Sequence, residues 1–310
     1  MIFGGIDPAV LIASLMVASV PILLAAIGEL VVEKAGVLNL GVEGMMIMGA
    51  ICGFITAVHS GSATLGFLGG AVGAAGLALV FGFLTQVLLA NQVATGLALT
   101  LFGLGLSSLM GQNYIGVKPP LTGVVDFGPL ADIPVLGRIL FSHDWMVYGS
   151  IAIVAAVWAF LRFSRAGLIL RAVGENAEAA HALGYKVIRV RIAAILFGGA
   201  MAGLGGAYLS LVRVPQWTDG ITAGAGWIAL AIVVFAGWKP WRALIGAYLF
   251  GGITVLQLNL QAAGARIPVE YLSMSPYLIT ILVLVIISSG KARGRLNAPA
   301  SLGQNFHASQ

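Results

Sequence analysis

Long apolar runs separated by short polar stretches dominate the chain. Several approach or exceed the roughly 20 residues that a helix needs to cross about 30 Å of hydrocarbon. These runs are 8–27, 64–88, 145–161, 192–212 and 273–289. Shorter or more polar candidates are 45–58, 93–112, 224–238 and 243–262. The pattern predicts an all-α, polytopic membrane bundle of about eight to ten transmembrane helices, with room for broken or re-entrant helices.

The composition excludes an ordinary soluble domain. Of 310 residues, 59% are hydrophobic and 9% are charged, whereas a soluble domain carries roughly a quarter charged residues. The 43 glycines lie largely within the apolar runs, at spacings that let helices approach closely. The first run is followed by Glu29 and Glu33 rather than by a small-residue cleavage site, so we expect a retained helix and no signal peptide.

The basic residues indicate which loops face the cytoplasm. Loop 162–191 holds six Lys and Arg against two Glu, and a basic cluster begins the polar tail 291–310. Loop 113–144 is balanced or acidic, which predicts an external position. We therefore expect one transmembrane domain over 1–290, a cytoplasmic tail over 291–310 and an external N-terminus. Trp238 and Trp241, beside Lys and Arg, are interpreted as interfacial anchors.

A short helix is predicted within the cytoplasmic loop. Asn176 can cap its first turn and Gly184 can end it in the left-handed conformation. Helical spacing puts Ala179, Ala180, Leu183 and Val187 on one face, which predicts a ridge of mostly small side chains that fits a partner's groove. A solvated connecting loop explains the same residues, and the pattern alone does not separate these two readings.

Residues 28–44 place three carboxylates and one ammonium between two apolar runs. The charge topology puts Glu29, Glu33 and Lys34 at the cytoplasmic rim, where we expect a modest salt bridge. Asn39 and Glu43 precede a short apolar run. We interpret them as part of a break in a discontinuous helix that lines a substrate path.

Other polar or aromatic side chains inside apolar runs are further candidates for that path, because unpartnered polar groups are costly in hydrocarbon. The complete set is Asn39, Glu43, Asn91, Gln92, Thr95, Phe102, Trp227, Gln257 and Asn259. Amides and hydroxyls suit a neutral ligand better than a charged one, and the rings of Phe102 and Trp227 offer stacking surfaces. Taken singly, each residue is more commonly an interhelical contact or an interfacial anchor.

Three blocks, 35–50, 91–100 and 174–184, resemble the permease subunits of bacterial ABC importers. The resemblance extends from about residue 8 to 295 and is closest to the ribose and branched-chain amino acid type, in particular its nucleoside or simple-sugar branch. It implies a coupling helix that docks on a separate cytoplasmic ABC ATPase. The residues of this helix would be Gly174, Glu175, Asn176, Glu178, Ala179, Ala180, Leu183 and Gly184.

The same resemblance implies the partners. Beside the ATPase, we expect a second permease that is a related but different chain, and an external substrate-binding lipoprotein that docks on the outer loops, 113–144 among them. The chain itself has no Gly-x-x-x-x-Gly-Lys-Ser/Thr phosphate loop. We therefore expect that the chain is not an enzyme and holds no cofactor, and that the partner ATPase binds ATP and Mg. No metal site and no nucleic-acid partner are predicted.

The predicted location is the bacterial inner membrane, with lipid around the multi-pass bundle. The leading substrate is a nucleoside, with a simple sugar as the near alternative and branched-chain amino acids further off. An ion- or proton-coupled secondary transporter is the alternative from a different class. It would use Glu29, Glu33 or Glu43 as its coupling carboxylate, and the coupling loop argues against it.

Overall fold

The computed structural model describes residues 8–131, 133–262 and 298–307, together with 271, 274, 278, 281, 282 and 285. Helices α1 to α11 are, in chain order, Pro8–Lys34, Val42–Ser60, Ala63–Gly82, Gln92–Gly111, Leu136–Leu140, Trp145–Phe163, Arg165–Glu175, Ala177–Ala182, Val187–Tyr208, Ala225–Phe235 and Pro240–Ala262. Two π-helical turns, Phe83–Val87 and Leu209–Arg213, extend α3 and α9. Two 3₁₀ turns, Gln112–Tyr114 and Gly128–Leu130, lie in the loop between α4 and α5.

Seven helices in the described part of the chain are long and apolar enough to cross a membrane. They are Pro8–Lys34, Val42–Ser60, Ala63–Val87, Gln92–Tyr114, Trp145–Phe163, Val187–Arg213 and Pro240–Ala262. The predicted polytopic helical bundle is therefore confirmed. The predicted span 273–289 lies outside the described residues except at isolated positions, and the division of the chain at residue 290 stays a prediction.

Helix α9 is the centre of the bundle and packs against α1, α2 and α3. Glycine makes this packing close. A Cβ on Gly203 would clash with the backbone of Gly70, and one on Gly206 would clash with the carbonyl oxygen of Met46. Because lipid is as apolar as the side chains, helices in a membrane associate mainly through such close van der Waals contact. The glycines in the apolar runs thus form a seam between helices.

The two ends of the bundle are distinguished by their contacts. At one end, which we call the α8 end, α1 finishes and α4 begins, and the turn that leads to α2, 35–41, packs against Gly174. At the far end, the side chains of His59 and Tyr114 are hydrogen-bonded at 2.7 Å, just where α2 and α4 finish. Helices α2 and α4 therefore run in the same direction. The position of a residue along either helix indicates its depth, measured from the α8 end towards the far end.

The predicted span 224–238 is wrong as a complete crossing. Helix α10 has only 11 residues, which gives about 16 Å at 1.5 Å per residue, roughly half of the hydrocarbon thickness. The preceding chain starts at the far end, where Trp217 packs on Gly111. It then turns inward, so that the first turn of α10 lies beside Glu43. The apolarity of this run correctly indicated burial but not length.

The start of α10 lies in the middle of the bundle. Gly44, next to Glu43, packs against Gly103, which is well inside α4. Three residues beyond the end of α10, Trp238 reaches Glu33 near the α8 end. Helix α10 is therefore a half-length helix that crosses only the α8 half of the bundle, preceded by a re-entrant segment, 218–224. A broken or re-entrant helix was expected at the start of the short run 45–58, where α2 proves to be a 19-residue helix.

The glycine seam predicts a strong position dependence for Gly→Ala substitutions. Gly206→Ala should destabilise the purified protein by about 1–3 kcal/mol, because its Cβ overpacks against a backbone carbonyl. Gly76→Ala is the matched control, since a Cβ there has no neighbour within 4 Å. Thermal unfolding in detergent measures both. Equal melting temperatures for the two variants would contradict the close packing of α9 on α2.

Candidate functional site

The carboxyl group of Glu43 joins the start of α2 to the start of α10. One oxygen accepts hydrogen bonds from the Thr222 hydroxyl at 2.5 Å and from the Gly224 amide at 2.9 Å. The other accepts from the Gly226 amide at 2.6 Å. Glu43 is only 3% exposed. Its side chain thus satisfies backbone donors that would otherwise be left without partners at the start of a helix inside the bundle.

Glycine is needed on the α10 side of this contact. A Cβ at Gly226 would lie 2.6 Å from the Cα of Glu43, so any other residue would separate the two helices. Gly224 has a φ of +82°, in the left-handed region that favours glycine. The backbone amides of Gly224 and Gly226 can therefore both reach the carboxylate. A negative group at a helix N-terminus is also favoured by the helix dipole.

The turn between α1 and α2 is held by a carboxyl group of α1 on one side and by neutral side chains of α4 on the other. The Asn39 amide and backbone N–H donate to the two oxygens of Glu29 at 3.4 and 3.2 Å. The Gln92 side chain accepts from the Leu38 N–H at 2.8 Å. The Thr100 hydroxyl donates to the carbonyl of Leu40 at 3.1 Å. These bonds join the turn to α1 and α4 and bring Asn39, Glu43 and Gln92 into one polar region.

Glu29 and Glu33 do not form an exposed rim, which corrects the sequence-based expectation. Each is 1% exposed. Glu33 accepts from the indole N–H of Trp238 at 2.5 Å, and Glu29 is bonded to Asn39. Trp238 is 6% exposed and so is a buried partner rather than an interfacial anchor. The reason is that the turn after α10, which carries Trp238, covers this end of α1, and the one-dimensional charge pattern does not reveal this.

The two aromatic candidates are exposed in the single chain. Phe102 is 54% and Trp227 is 47% exposed. Each immediately adjoins a glycine that packs at the start of α2: Phe102 precedes Gly103 and Trp227 follows Gly226. Both side chains therefore lie at the surface of the single chain, next in sequence to glycines of the Glu43 region.

The remaining candidates are separate from this region or have local roles. The Asn91 side chain caps α4 by accepting from the Ala94 N–H at 3.0 Å, and Thr95 is half-buried in the first turn of that helix. Gln257 and Asn259 lie on α11, which packs mainly on α1, α6 and α10. The Asn259 amide donates to the Val255 carbonyl of its own helix at 2.8 Å.

Sequence reasoning missed Thr222, Gly226 and Thr100. Thr222 is 3% exposed and Thr100 is 1% exposed. The Thr222 hydroxyl donates to Glu43 at the start of α2, and the Thr100 hydroxyl donates to Leu40 in the turn before it. A signal was present for the first two, because the sequence Gly220–Gly226 is rich in glycine just before a short apolar run. Such a segment is typical of the approach to a discontinuous helix.

The short helix in the predicted coupling loop is present. Helix α8 is Ala177–Ala182. Its cap is the Asn176 side chain, which accepts from the Ala179 N–H at 2.9 Å, and Gly184 follows with a φ of +87°. Both sequence signals for this helix are therefore confirmed.

The predicted ridge of α8, in contrast, is divided between two faces. Ala180 and Val187 are 2% and 1% exposed, whereas Leu183 is 76% exposed. Gly174 is also buried, close to the end of α1. The exposed residues of the set are Glu175, Asn176, Glu178, Ala179, Leu183 and Gly184. A partner that docks here would therefore contact the polar side and tip of α8.

Comparison with known proteins gives one family. The family described as "Branched-chain amino acid transport system / permease component" matches residues 11–287. A Haloferax volcanii protein provisionally described as a glucose ABC transporter permease is 39% identical, over 94% of this chain and 95% of that protein. A Lactococcus lactis nucleoside ABC transporter permease is 33% identical, over 96% of both chains. A Bacillus subtilis guanosine ABC transporter permease is 30% identical, over 95% of both.

The contact between Glu43 and α10 predicts a specific cost for removing one carboxylate oxygen. Glu43→Gln should destabilise the protein by about 1–3 kcal/mol, because an amide NH₂ group would face backbone N–H donors and leave them unsatisfied. Glu178→Gln is the matched control on the exposed side of α8, with an expected change within about 0.5 kcal/mol. Thermal unfolding measures both. A Glu43→Gln variant as stable as the control would contradict the role of this carboxyl group.

Proposed function

Because the chain belongs to the branched-chain amino acid transport system permease family, we propose that it forms the membrane path of an ABC importer for nucleosides. It is a multi-pass permease subunit of an ABC transporter and a transport component. The observation that carries the nucleoside proposal is the similarity over 95% or more of each chain to permeases described for nucleosides and guanosine.

The polar region supports a neutral substrate. The carboxyl groups of Glu29, Glu33 and Glu43 each accept hydrogen bonds from uncharged donors within the bundle. They are therefore occupied by structural contacts. The exposed rings of Phe102 and Trp227 offer the stacking surfaces that a nucleobase needs. We propose that these two rings line the path together with Asn39, Glu43, Gln92 and Thr95, and that Gln257 and Asn259 do not.

A simple sugar is the second candidate. It is favoured by the 39% identity to the Haloferax volcanii protein, which is provisionally described as a glucose transporter permease. An ion- or proton-coupled secondary transporter, in contrast, has no support among these relatives. The occupied carboxyl groups of Glu29, Glu33 and Glu43 also argue against it, because a coupling carboxylate must exchange its proton or ion with the path.

The proposed partners follow from the two ends of the bundle. A cytoplasmic ABC ATPase, which binds ATP and Mg, would dock on the exposed side of α8, and a second, related permease would complete the path. An external substrate-binding lipoprotein would dock on loop 113–144. Exposed apolar side chains of that loop support this, including Leu121 at 88% and Val124 at 64%. The α8 end and the C-terminus would then be cytoplasmic and the N-terminus external, in a bacterial inner membrane.

Transport itself is tested with the complete system in proteoliposomes: both permeases, the ATPase and the external binding protein. We expect ATP-dependent accumulation of labelled guanosine or uridine that unlabelled nucleosides inhibit. The control is the same system with the phosphate-loop lysine of the ATPase replaced. ATP-dependent accumulation of glucose without nucleosides would select the second candidate, and accumulation driven by an ion gradient without ATP would contradict the proposal. Ligand binding to the isolated external protein gives an independent identification.

Docking at the two ends is tested with one chemical change at two positions. Leu183→Arg at the tip of α8 should reduce co-purification of the ATPase about tenfold or more, by placing a charge within an interface. Leu121→Arg, in the loop at the far end, should leave the ATPase bound and weaken capture of the external protein. Loss of the ATPase in both variants, or in neither, would contradict the assignment of the two ends.

A further inference from the structure

The tail of the chain returns to the bundle and packs beneath α8. Phe306 is 6% exposed and lies in a separate apolar cluster, together with Val173, Ala177, Ala180 and Val187. The ring of His181, on α8, is 5.3 Å from the ring of Phe306. The inward face of α8 therefore packs on the tail as well as on its neighbouring helices, which explains why Ala180 is buried.

A few residues earlier, the same segment is bonded to the end of α7 and to the turn before α2. The Ser301 hydroxyl and N–H donate to the Gly174 carbonyl at 2.6 and 3.0 Å. The Gly303 N–H donates to the Gly36 carbonyl at 3.2 Å. Residues 301–306 thus contact both the coupling region and the turn that carries Asn39.

Helix α4 is bonded to the same segment. The Gln92 amide donates to the Asn305 side chain at 3.2 Å and to the Gln304 carbonyl at 3.4 Å. The Asn305 amide donates to the Leu89 carbonyl at 2.7 Å, in the chain just before α4. Gln92 also accepts from Leu38. A candidate residue of the substrate path is therefore positioned by the tail on one side and by the turn on the other.

Buried Arg191 requires the tail as well. Its guanidinium is 0% exposed and donates to the carbonyls of Gln304 at 2.9 Å and Ala35 at 3.2 Å, and to the Ser301 hydroxyl at 3.4 Å. A buried cation without such acceptors would be strongly unfavourable. The tail thus supplies two of the acceptors that offset the burial of the Arg191 guanidinium. The position of the tail is therefore part of the fold.

We propose that residues 301–306, which we call the strap, transmit the movement of α8 to the turn 35–41 and to Gln92, with Phe306 as the positioning residue on the α8 side. This inference rests on the proposed function in one respect, that an ATPase docks on α8. Only four residues lie between the two anchors of the strap, Ser301 and Phe306, and hydrogen bonds hold these residues in place. A displacement of α8 therefore acts on the strap directly, beside its covalent route through α7.

The test uses the complete transporter with Phe306→Ala, the conservative variant Phe306→Leu and the control Gln304→Ala. The Gln304 side chain is exposed, and its one hydrogen bond among the described residues is to the Ala300 carbonyl within the tail. Two quantities are measured: amide hydrogen exchange of residues 176–185, and substrate taken up per ATP hydrolysed. Exchange of α2 and α9 reports whether each variant is folded.

Phe306→Ala should speed exchange in α8 about tenfold, because the helix loses the packing that holds it closed. It should also lower uptake per ATP about threefold or more, with exchange in α2 and α9 unchanged. Phe306→Leu should retain most of both properties, since it keeps much of the apolar volume. Gln304→Ala should behave as the unmodified protein.

Two results would overturn the inference. Unchanged exchange in α8 of Phe306→Ala would show that the strap does not position this helix. Faster exchange with unchanged uptake per ATP would show that the strap holds α8 without taking part in coupling. Failure of the proposed function is distinguishable, because the unmodified transporter would then show no ATP-driven uptake while the exchange measurement still reports on the contact.

Discussion

A helix that begins in the middle of a membrane bundle leaves several backbone N–H groups without intrahelical partners, in a region without bulk water. Helix α10 begins in this way, and the carboxyl group of Glu43 accepts from two of its first amides and from Thr222. Burial of a carboxyl group is itself costly. Here the cost of the buried carboxyl group and the cost of the unpartnered N–H groups offset each other, because the carboxyl oxygens accept hydrogen bonds from those N–H groups. The re-entrant segment can therefore remain inside the bundle.

This contact depends in turn on the close packing of the helices around it. Gly44 allows α4 to approach α2, and Gly226 allows α10 to approach Glu43. On the other side of α2, the glycines of α9 have the same effect through Gly203 and Gly206. Polar contacts inside this bundle are short because the backbones are close, and the backbones are close because side chains are missing at the crossing points.

The sequence predicts the helical class, most of the long spans and both ends of α8, because these depend on local apolarity and on capping residues such as Asn176 and Gly184. It does not predict the depth of α10, since an apolar run of that length fits either a short span in a locally thinned bilayer or a half-length helix. The partner of Glu43 is also beyond local reasoning, because Thr222 lies 179 positions away along the chain. Ser301 and Phe306 lie in a polar tail, where sequence alone indicates solvation.

The apolar contact of Phe306 and a series of hydrogen bonds form a continuous route between α8 and the start of α10. Phe306 touches α8, and the strap bonds to Gly36 and Gln92. The turn then bonds to α4 through Leu40, and Glu43 in the first turn of α2 bonds to the start of α10. The turn has only seven residues and is bonded at several of them, so it cannot absorb a movement of α8 by bending alone. A shift at the α8 end, where we propose that the ATPase docks, must therefore alter either these bonds or the start of α10, which is where the proposed path lies.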